Sequence, residues 1–322
     1  MRLISGSILV IGLPGIVFLP MTFIFGWQIG LIGAVVVLLF IAYGFFFGWR
    51  HVVVRETTCT SALLPSSFDG YRILQLSDIH LGTYLKSRKF IDRLVDKVNA
   101  QKVDLIVFTG DLVNVSAEEV IPFQHALAKL NAKDGIYSVM GNHDYCEYVS
   151  LDKKSPSSEG RKELVAKIAK NQNVLKYLEE KMGWHLLLND HVEINREEDA
   201  IFLIGVENIS RPPFQDYGDL KKAMDGLKEG TFKVLLSHDP SHWRRGVLHQ
   251  TDIALTLSGH THAGQVKIGN FSPSKWAYHE WGGKYTEGES MLNVSLGIGG
   301  TVPFRLGAWP EINVITLRKR GE

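Results

Sequence analysis

Cysteine is scarce in this chain of 322 residues, which contains only Cys59 and Cys146 and no Cys-x-x-Cys pair. Two cysteines cannot form a disulfide framework. The chain also lacks a large excess of basic or acidic residues, and its formal net charge is +1. We therefore expect no nucleic-acid partner. The chain has neither a Gly-x-x-x-x-Gly-Lys-Ser/Thr loop nor a Rossmann fingerprint after its first predicted strand, which argues against a nucleotide-binding sensor.

Charged residues are absent from Leu3 to Trp49, although they are distributed normally in the rest of the chain. An apolar helix needs roughly 20 residues to cross a bilayer, and this run is about twice as long. We predict two transmembrane helices, near Leu3–Phe25 and Ile29–Phe47, that turn at Gly26-Trp27-Gln28. Residues 1–50 would then form a membrane anchor.

The few charges around this run predict its orientation. Arg2 precedes it, and Arg50 and Arg55 follow it, so the positive-inside tendency places both ends in the cytoplasm. A single span remains an alternative, since Pro14 and Pro20 weaken the first helix. That arrangement would put the remainder of the chain on the opposite face. The run is too long for a cleaved signal peptide and lacks a cleavage site near its end.

Beyond the anchor, residues 51–69 are predicted to form a connector and residues 70–322 one domain. Strands at Tyr71–Ser77, Val103–Thr109 and Ile136–Met140 alternate with helices at Ser87–Asn99 and Ala117–Leu130, which is typical of βαβ units. A further helix is predicted at Arg161–Met182. Later strands are predicted at Ile201–Gly205, Phe232–Ser237, Ile253–Ser258, Gly264–Ile268, Met291–Ser295 and Ile312–Leu317.

Polar side chains that can bind metal follow five of these strands directly. They are Asp78 and His80, then Asp111, then Asn142, His143 and Asp144, then His238, and finally His260 and His262. Sites in open α/β sheets form outside the carboxyl ends of strands, so we expect these groups to converge. Mixed imidazole and carboxylate ligands suit Mn, Fe, Zn or Co better than Ca. These side chains are too many to bind one metal ion, but they suit two ions that share a bridging carboxylate.

These motifs together resemble the calcineurin-like metallophosphoesterase family. They are Asp78-x-His80, Gly110-Asp111, Gly141-Asn142-His143-Asp144, His238 and Gly259-His260-Thr261-His262, and the resemblance covers roughly residues 70–318. The tail Gly299-Gly300-Thr301-x-Pro303-x-Arg305 resembles the membrane-anchored bacterial branch. The resemblance implies an α/β fold, a four-layer α/β/β/α metallophosphoesterase sandwich, preceded here by the N-terminal transmembrane helical hairpin. It also implies a bacterial inner membrane, and the positive-inside tendency noted above places the catalytic domain in the cytoplasm.

The same resemblance implies two divalent metal ions. One would be held by Asp78, His80, Asp111 and His262, and the other by Asp111, Asn142, His238 and His260. Asp111 would bridge the two ions. His143 would protonate the leaving oxygen, with Asp144 orienting its ring. Arg305 could bind a substrate phosphate oxygen or make a structural contact.

The implied function is hydrolysis of a phosphoester or pyrophosphate bond at the membrane surface through a metal-bridging hydroxide. The partners would be a phosphorylated small molecule or a lipid-linked phosphate, together with the membrane. One alternative is specifically a UDP-2,3-diacylglucosamine pyrophosphatase. An alternative of another class is a non-catalytic scaffold on the same fold. The aromatic loop around Trp276 and Tyr278 could pack on the core or dip toward the bilayer.

Overall fold

A computed structural model describes residues 12–85, 87–145, 158–210 and 216–321. The strands are β1 Val53–Ser61, β2 Arg72–Leu76, β3 Leu105–Phe108, β4 Ile136–Ser138, β5 His185–Leu186, β6 Asp190–Arg196, β7 Asp199–Gly205, β8 Lys233–Leu236, β9 Leu255–Ser258, β10 Gly283–Glu287, β11 Ser290–Val294 and β12 Glu311–Lys319. The α-helices are α1 Leu13–Phe25, α2 Trp27–Phe46, α3 Arg88–Asn99, α4 Gln124–Leu127, α5 Ser158–Lys181 and α6 Leu220–Ala223.

The strands form two six-stranded mixed sheets, in the orders β1-β12-β2-β3-β4-β5 and β10-β11-β9-β8-β7-β6. Alternation along β2 shows how the first sheet is buried on both faces. Ile73 faces a core shared with Leu203 and Val234 of the second sheet, whereas Leu74 faces a core shared with the helices. A strand that is covered on both faces is mostly apolar, and the buried polar side chain of β2, Gln75, donates hydrogen bonds to Thr109 and to the Ser258 carbonyl.

Helices cover the outer faces of both sheets. The spacing of the apolar residues in α3 puts Ile91, Leu94 and Val98 on one buried face against the first sheet. The far side of the second sheet packs against Trp243 and Val247. The predicted four-layer α/β/β/α sandwich is therefore confirmed.

Part of the predicted connector is instead a strand. β1 pairs in parallel with β12 along its full length, from Val53↔Glu311 to Ser61↔Lys319. Most of its side chains are exposed or half-buried, because it is an edge strand, so it lacks the apolar pattern that marks a buried strand. Its partner lies at the opposite end of the sequence, so the local pattern could not predict that pairing.

One other local prediction was wrong, and a second identified a helix without its type. The segment Gly264–Ile268 is not a strand, because Gly264 and Gln265 have left-handed backbones with φ of 56° and 62°. The predicted helix over Ala117–Leu130 is present, but it begins as a 3₁₀-helix over Ala117–Phe123 and is α-helical only over Gln124–Leu127. Pro122 in this segment has no N–H with which to continue an α-helical ladder.

The apolar start contains α1 and α2, separated by Gly26, whose φ of 91° breaks the helix. The two helices pack antiparallel and closely, since a Cβ on Gly30 would lie 2.0 Å from Oγ1 of Thr22. Within the described residues, only Trp27–Arg50 is long and apolar enough to cross a membrane, with a mean hydropathy of 2.6. Residues 3–11 of the first predicted span lie outside the described ranges, and the transmembrane hairpin stays a prediction.

Glu179 gives the fold a testable pH dependence. Burial raises its pKa from 4.5 to about 8, so its carboxyl group is largely protonated at neutral pH. The carboxyl group accepts a hydrogen bond from the Ser138 hydroxyl. The unfolded chain loses this proton near pH 4.5, so stability should fall as pH rises from 4.5 toward 8. Glu179→Gln should remove this loss. The difference in free energy of unfolding between the variant and the wild type should therefore be more favourable to the variant at pH 8 than at pH 5, by about 2 kcal/mol or more.

Chemical unfolding of the full chain in detergent at both pH values measures this difference. Glu180→Gln, at the exposed neighbouring position, is the matched control and should follow the wild type. Parallel stability profiles for the wild type and Glu179→Gln would contradict the prediction.

Candidate metal centre

The candidate site lies where strands of both sheets end. β2 and β3 of the first sheet lead into Asp78 and Asp111, while β8 and β9 of the second lead into His238 and His260. The backbone is unusual there, since φ lies between +49° and +74° at five site residues: Asp78, His80, Asp111, His260 and His262. Such left-handed conformations cost energy in non-glycine residues and concentrate at functional sites.

Four side chains form the first group of possible ligands. Asp78, His80, Asp111 and His262 each offer one atom, and these atoms all lie within 4.8 Å of one another. Nε2 of His80 is 3.2 Å from Nε2 of His262 and 3.6 Å from Oδ2 of Asp111. Two imidazole nitrogens cannot both carry a hydrogen at that distance, so at least one of them presents a lone pair to this space.

A second group shares Asp111 with the first. Asp111, His238 and His260 bring their ligand atoms within the same 4.8 Å limit. Oδ2 of Asp111 is 3.3 Å from Nε2 of His238, and that nitrogen is 3.2 Å from Nδ1 of His260. Oδ1 of Asn142 lies 3.1 Å from the same Nε2. The structure therefore brings together all seven side chains that were predicted to hold metal.

The outer nitrogens of two histidines are fixed by neighbouring groups. Nδ1 of His238 is 2.7 Å from the carbonyl oxygen of Thr109, and it must donate the hydrogen. Nε2 of His260 is 2.6 Å from the hydroxyl of Tyr278. These contacts turn the inner nitrogen of each ring toward Asp111, the usual way to prepare a histidine for a metal. The donor set and its orientation therefore fit a divalent cation.

Burial of two carboxylates and several imidazoles shifts the pKa values of this cluster. Burial raises the pKa of Asp78 to about 6 and lowers that of His80 to about 3. Burial also disfavours the charged form of His238, but the Asp111 carboxylate, the Asp78 carboxylate and the Thr109 carbonyl together outweigh it and raise the pKa of His238 to about 10. Cations bound among these groups would relieve the cost of burying the carboxylates.

Close packing of glycine against Asp78 explains the Gly259-His260 sequence. A Cβ on Gly259 would lie 1.9 Å from Oγ of Ser77 and 2.3 Å from Oδ2 of Asp78. The Asp78 carboxylate also accepts a hydrogen bond from the backbone N–H of His260 at 3.1 Å. The absence of a side chain at position 259 therefore lets one loop hold the carboxylate of another.

Gly259→Ala should displace the Asp78 carboxylate and lower the affinity for divalent metal by about 10- to 100-fold, the range seen when groups supporting a metal ligand are altered. Metal titration of the purified chain, followed by elemental analysis, measures the loss. Gly269→Ala is the control, because a Cβ added there would meet nothing within 4 Å, although the φ of Gly269 is +58°. Equal metal affinity in the two variants would contradict the proposed contact.

His143 lies at the edge of the first group, with its ring centroid 4.8 Å from that of His80. The prediction that Asp144 orients this ring was wrong. Nδ1 of His143 lies 2.7 Å from the carbonyl oxygen of Asn114, which therefore orients the ring. The buried carboxylate of Asp144 accepts hydrogen bonds from four backbone N–H groups instead: Asp111, Leu112, Val113 and Gly141. Asp144 thus ties the loop after β3 to the loop after β4.

Arg305 is buried, with 1% of its surface exposed, so its guanidinium is not open to a substrate phosphate. Its guanidinium donates to the carbonyl oxygens of His262 and Ala308 at 3.3 and 3.2 Å, and also to that of Gly299. Nη2 is 3.2 Å from Nδ1 of His262. The structural alternative for Arg305 therefore agrees with the geometry, and its contacts position His262.

Residues 71–264, more than half of the chain, match the family described as calcineurin-like phosphoesterase. The chain belongs to the calcineurin-like phosphoesterase family. This phosphoesterase is 32% identical over 282 residues to the metallophosphoesterase YkuE of Bacillus subtilis, covering 83% of this chain and 86% of that protein. Membership makes it a metal-dependent phosphoric ester hydrolase.

A Danio rerio relative is named "Transmembrane protein with metallophosphoesterase domain". The phosphoesterase is 30% identical to it over 267 residues, which is 80% of this chain and 55% of that protein. This chain therefore spans about half the length of that relative. A dimetal phosphatase structure from Danio rerio aligns with a TM-score of 0.40 at 13% identity, over 73% of this chain and 90% of that one. The relative's name and the apolar helix α2 together indicate membrane association.

Sequence reasoning missed the groups that position the ligands. The carbonyls of Thr109 and Asn114 carry no sequence signal, because every residue has a carbonyl. Tyr278 was noted only as part of an aromatic loop, and its hydroxyl contact with His260 depends on how that loop folds back. A requirement that each metal-binding histidine have an outer hydrogen-bond partner would have justified a search for such groups.

Proposed function

We propose that this phosphoesterase uses two divalent cations to hydrolyse a phosphoester or pyrophosphate bond at a membrane surface. The observation that carries the proposal is the sharing of Asp111 between two groups whose histidine nitrogens are turned inward. Asp78, His80, Asp111 and His262 would hold one ion. Asp111, Asn142, His238 and His260 would hold the other. The mixed nitrogen and oxygen donors suit Mn, Fe, Zn or Co.

Cations bound there would supply Lewis-acid chemistry, neutralising phosphoryl charge and making water a better nucleophile near neutral pH. The protein itself would place its groups around the substrate. His143 is half-buried and is oriented through Nδ1 by the Asn114 carbonyl. We propose that Nε2 of His143 donates the proton that the leaving oxygen receives. The backbone N–H of His143 donates to Oδ1 of Asp111 at 2.9 Å, which couples this ring to the shared ligand.

Contacts near the end of α2 support action at the membrane surface. The ring of Phe45 lies 4.8 Å from that of Phe304, and the backbone N–H of Arg305 donates to the Gly44 carbonyl at 3.3 Å. Arg305 in turn contacts His262. A single residue therefore connects the end of the apolar helix to the metal cluster, and we propose that lipid-linked phosphates reach the site. We place the catalytic domain on the cytoplasmic face of a bacterial inner membrane.

A substrate panel with the full chain in detergent tests this proposal. It contains p-nitrophenyl phosphate, bis(p-nitrophenyl) phosphate, a nucleotide pyrophosphate and UDP-2,3-diacylglucosamine, each assayed with Mn²⁺, Co²⁺, Zn²⁺ and Mg²⁺. We expect metal-dependent turnover of at least one compound and two ions per chain by elemental analysis. A chain that turns over none of them and binds far fewer ions would be the non-catalytic scaffold. A reporter fused to the carboxyl terminus tests the membrane side.

A further inference from the structure

A basic cleft lies where the apolar helix α2 joins the folded domain. Its volume is about 450 Å³, and its lining includes the cations Arg50, Arg88, Lys89 and Arg93. None of the lining residues is acidic. We propose that this cleft, which we call the interfacial cleft, binds the phosphate of an anionic phospholipid headgroup. The inference rests on the proposed membrane location of α2 and does not depend on the hydrolase chemistry.

The packing of Trp49 fixes the cleft at the end of the helix. α2 ends at Phe46 and is followed by the 3₁₀ turn Gly48–Arg50. Trp49 in that turn is buried, with its ring centroid 5.5 Å from each of the rings of Tyr84 and Phe90. Phe90 belongs to the first turn of α3. The start of α3 is therefore held against the end of α2, at the level where a spanning helix would leave the hydrocarbon.

The charges of the cleft are arranged as if an anion belonged there. Within the described residues, none of its four cations forms an ion pair with a carboxylate. Arg88 and Lys89 occupy the first turn of α3, which contains no acidic residue. Cations there oppose the helix dipole. Lys89 and Arg93 also repel each other at i,i+4 spacing. A phosphate in the cleft would relieve all of these unfavourable interactions together.

The surroundings of the cleft favour a lipid over a free anion. Leu85, on its lining, is 48% exposed, which gives apolar contact beside the cations. Arg50 ends the 3₁₀ turn that follows α2, and its guanidinium stacks 4.2 Å from the Trp49 ring and donates to the Phe46 carbonyl at 2.7 Å. Basic residues at this level attract the anionic lipids of a bilayer. A headgroup with its glycerol end toward α2 would satisfy both the charge and the apolar surface.

Titrations of the full chain in a nonionic detergent with short-chain lipids test this proposal. The probes are dihexanoyl phosphatidylglycerol, dihexanoyl phosphatidylcholine and inorganic phosphate. We expect saturable binding of the phosphatidylglycerol, which weakens with added salt and is stronger than binding of the other two. The triple variant Arg88→Gln, Lys89→Gln and Arg93→Gln should lose at least about tenfold in affinity for it.

The matched control neutralises three exposed lysines elsewhere, by Lys129→Gln, Lys170→Gln and Lys176→Gln. It should bind the phosphatidylglycerol as the wild type does. The double variant Arg88→Lys and Arg93→Lys keeps the charge and should stay within about threefold of the wild type, which would show that positive charge is what the lipid requires at these positions. Hydrolysis of whichever panel compound the wild type turns over, and the content of bound metal, should be unchanged in every variant. Both readouts show that a variant is folded, and they keep failure of the lipid site distinguishable from failure of the hydrolase.

Three outcomes would overturn the lipid assignment. The triple variant could bind as tightly as the wild type, which would exclude these cations. Phosphatidylcholine could bind as well as phosphatidylglycerol, which would make the contact apolar only. Inorganic phosphate could bind as tightly as the lipid, which would make this a site for free phosphate.

Discussion

Replacing Asp111 with asparagine is expected to reduce phosphoester hydrolysis by at least about 10³-fold, the scale of loss when a group that acts as part of a catalytic unit is removed. Asp111 is the residue common to both ligand groups. Its Oδ2 lies 3.6 Å from Nε2 of His80 and 3.3 Å from Nε2 of His238. Asparagine keeps the size of the side chain but removes the negative charge that two cations would share. Activity and bound metal should therefore fall together.

Turnover assays and elemental analysis of the same preparations measure this effect. Asp252→Asn is the control, because Asp252 pairs with Lys233, the first residue of β8, whereas His238 follows the opposite end of that strand. It should keep its metal and its activity if the chain folds. Asp111→Asn with two ions per chain and near-wild-type turnover would exclude the shared-ligand arrangement.

His143→Gln should separate proton transfer from metal binding. We expect kcat to fall by about 10²- to 10⁴-fold on alkyl phosphoesters, the usual contribution of a positioned acid. The fall should be much smaller on p-nitrophenyl esters, because nitrophenolate leaves without needing a proton. Bound metal should be unchanged, since the described contact of the His143 ring nitrogen Nδ1 is with the Asn114 carbonyl and the residue is outside both ligand groups.

The leaving-group dependence is the readout that a merely structural role would not produce. His238→Gln serves as the contrasting variant, because it removes a proposed ligand and should lower metal content and the turnover of both ester types. Equal losses on alkyl and nitrophenyl esters in His143→Gln, accompanied by loss of metal, would show that His143 is a ligand and not the proton donor.

Several features of the fold were predictable from local sequence. The buried strands β2 and β3 were predictable because they are short and mostly apolar, as is typical of strands that are covered on both faces. α3 was recognised because its apolar residues recur at helical spacing. β1 was missed, because an exposed edge strand carries no such pattern and is defined by pairing with β12.

The sequence by itself determined the chemistry of the site. Asp78, Asp111 and His238 each follow a buried strand, and strands of a sheet deliver the residues at their carboxyl ends to one edge. Side-chain type then limits the ligands to imidazole, carboxylate and amide groups, and these limit the ion. Such information is local, so it can be obtained without a three-dimensional structure.

Only the tertiary structure decided how those candidate ligands are held. The Asn114 carbonyl orients the ring of His143, and the Tyr278 hydroxyl contacts the outer nitrogen of His260. Asp144 was predicted to orient His143, but it joins the loops after β3 and β4. The juxtaposition of Arg50 with the first turn of α3 likewise arises from packing around Trp49. These contacts join residues that are distant in sequence, and many use backbone atoms that every residue possesses. They exist only once the sheets and the apolar helix have packed.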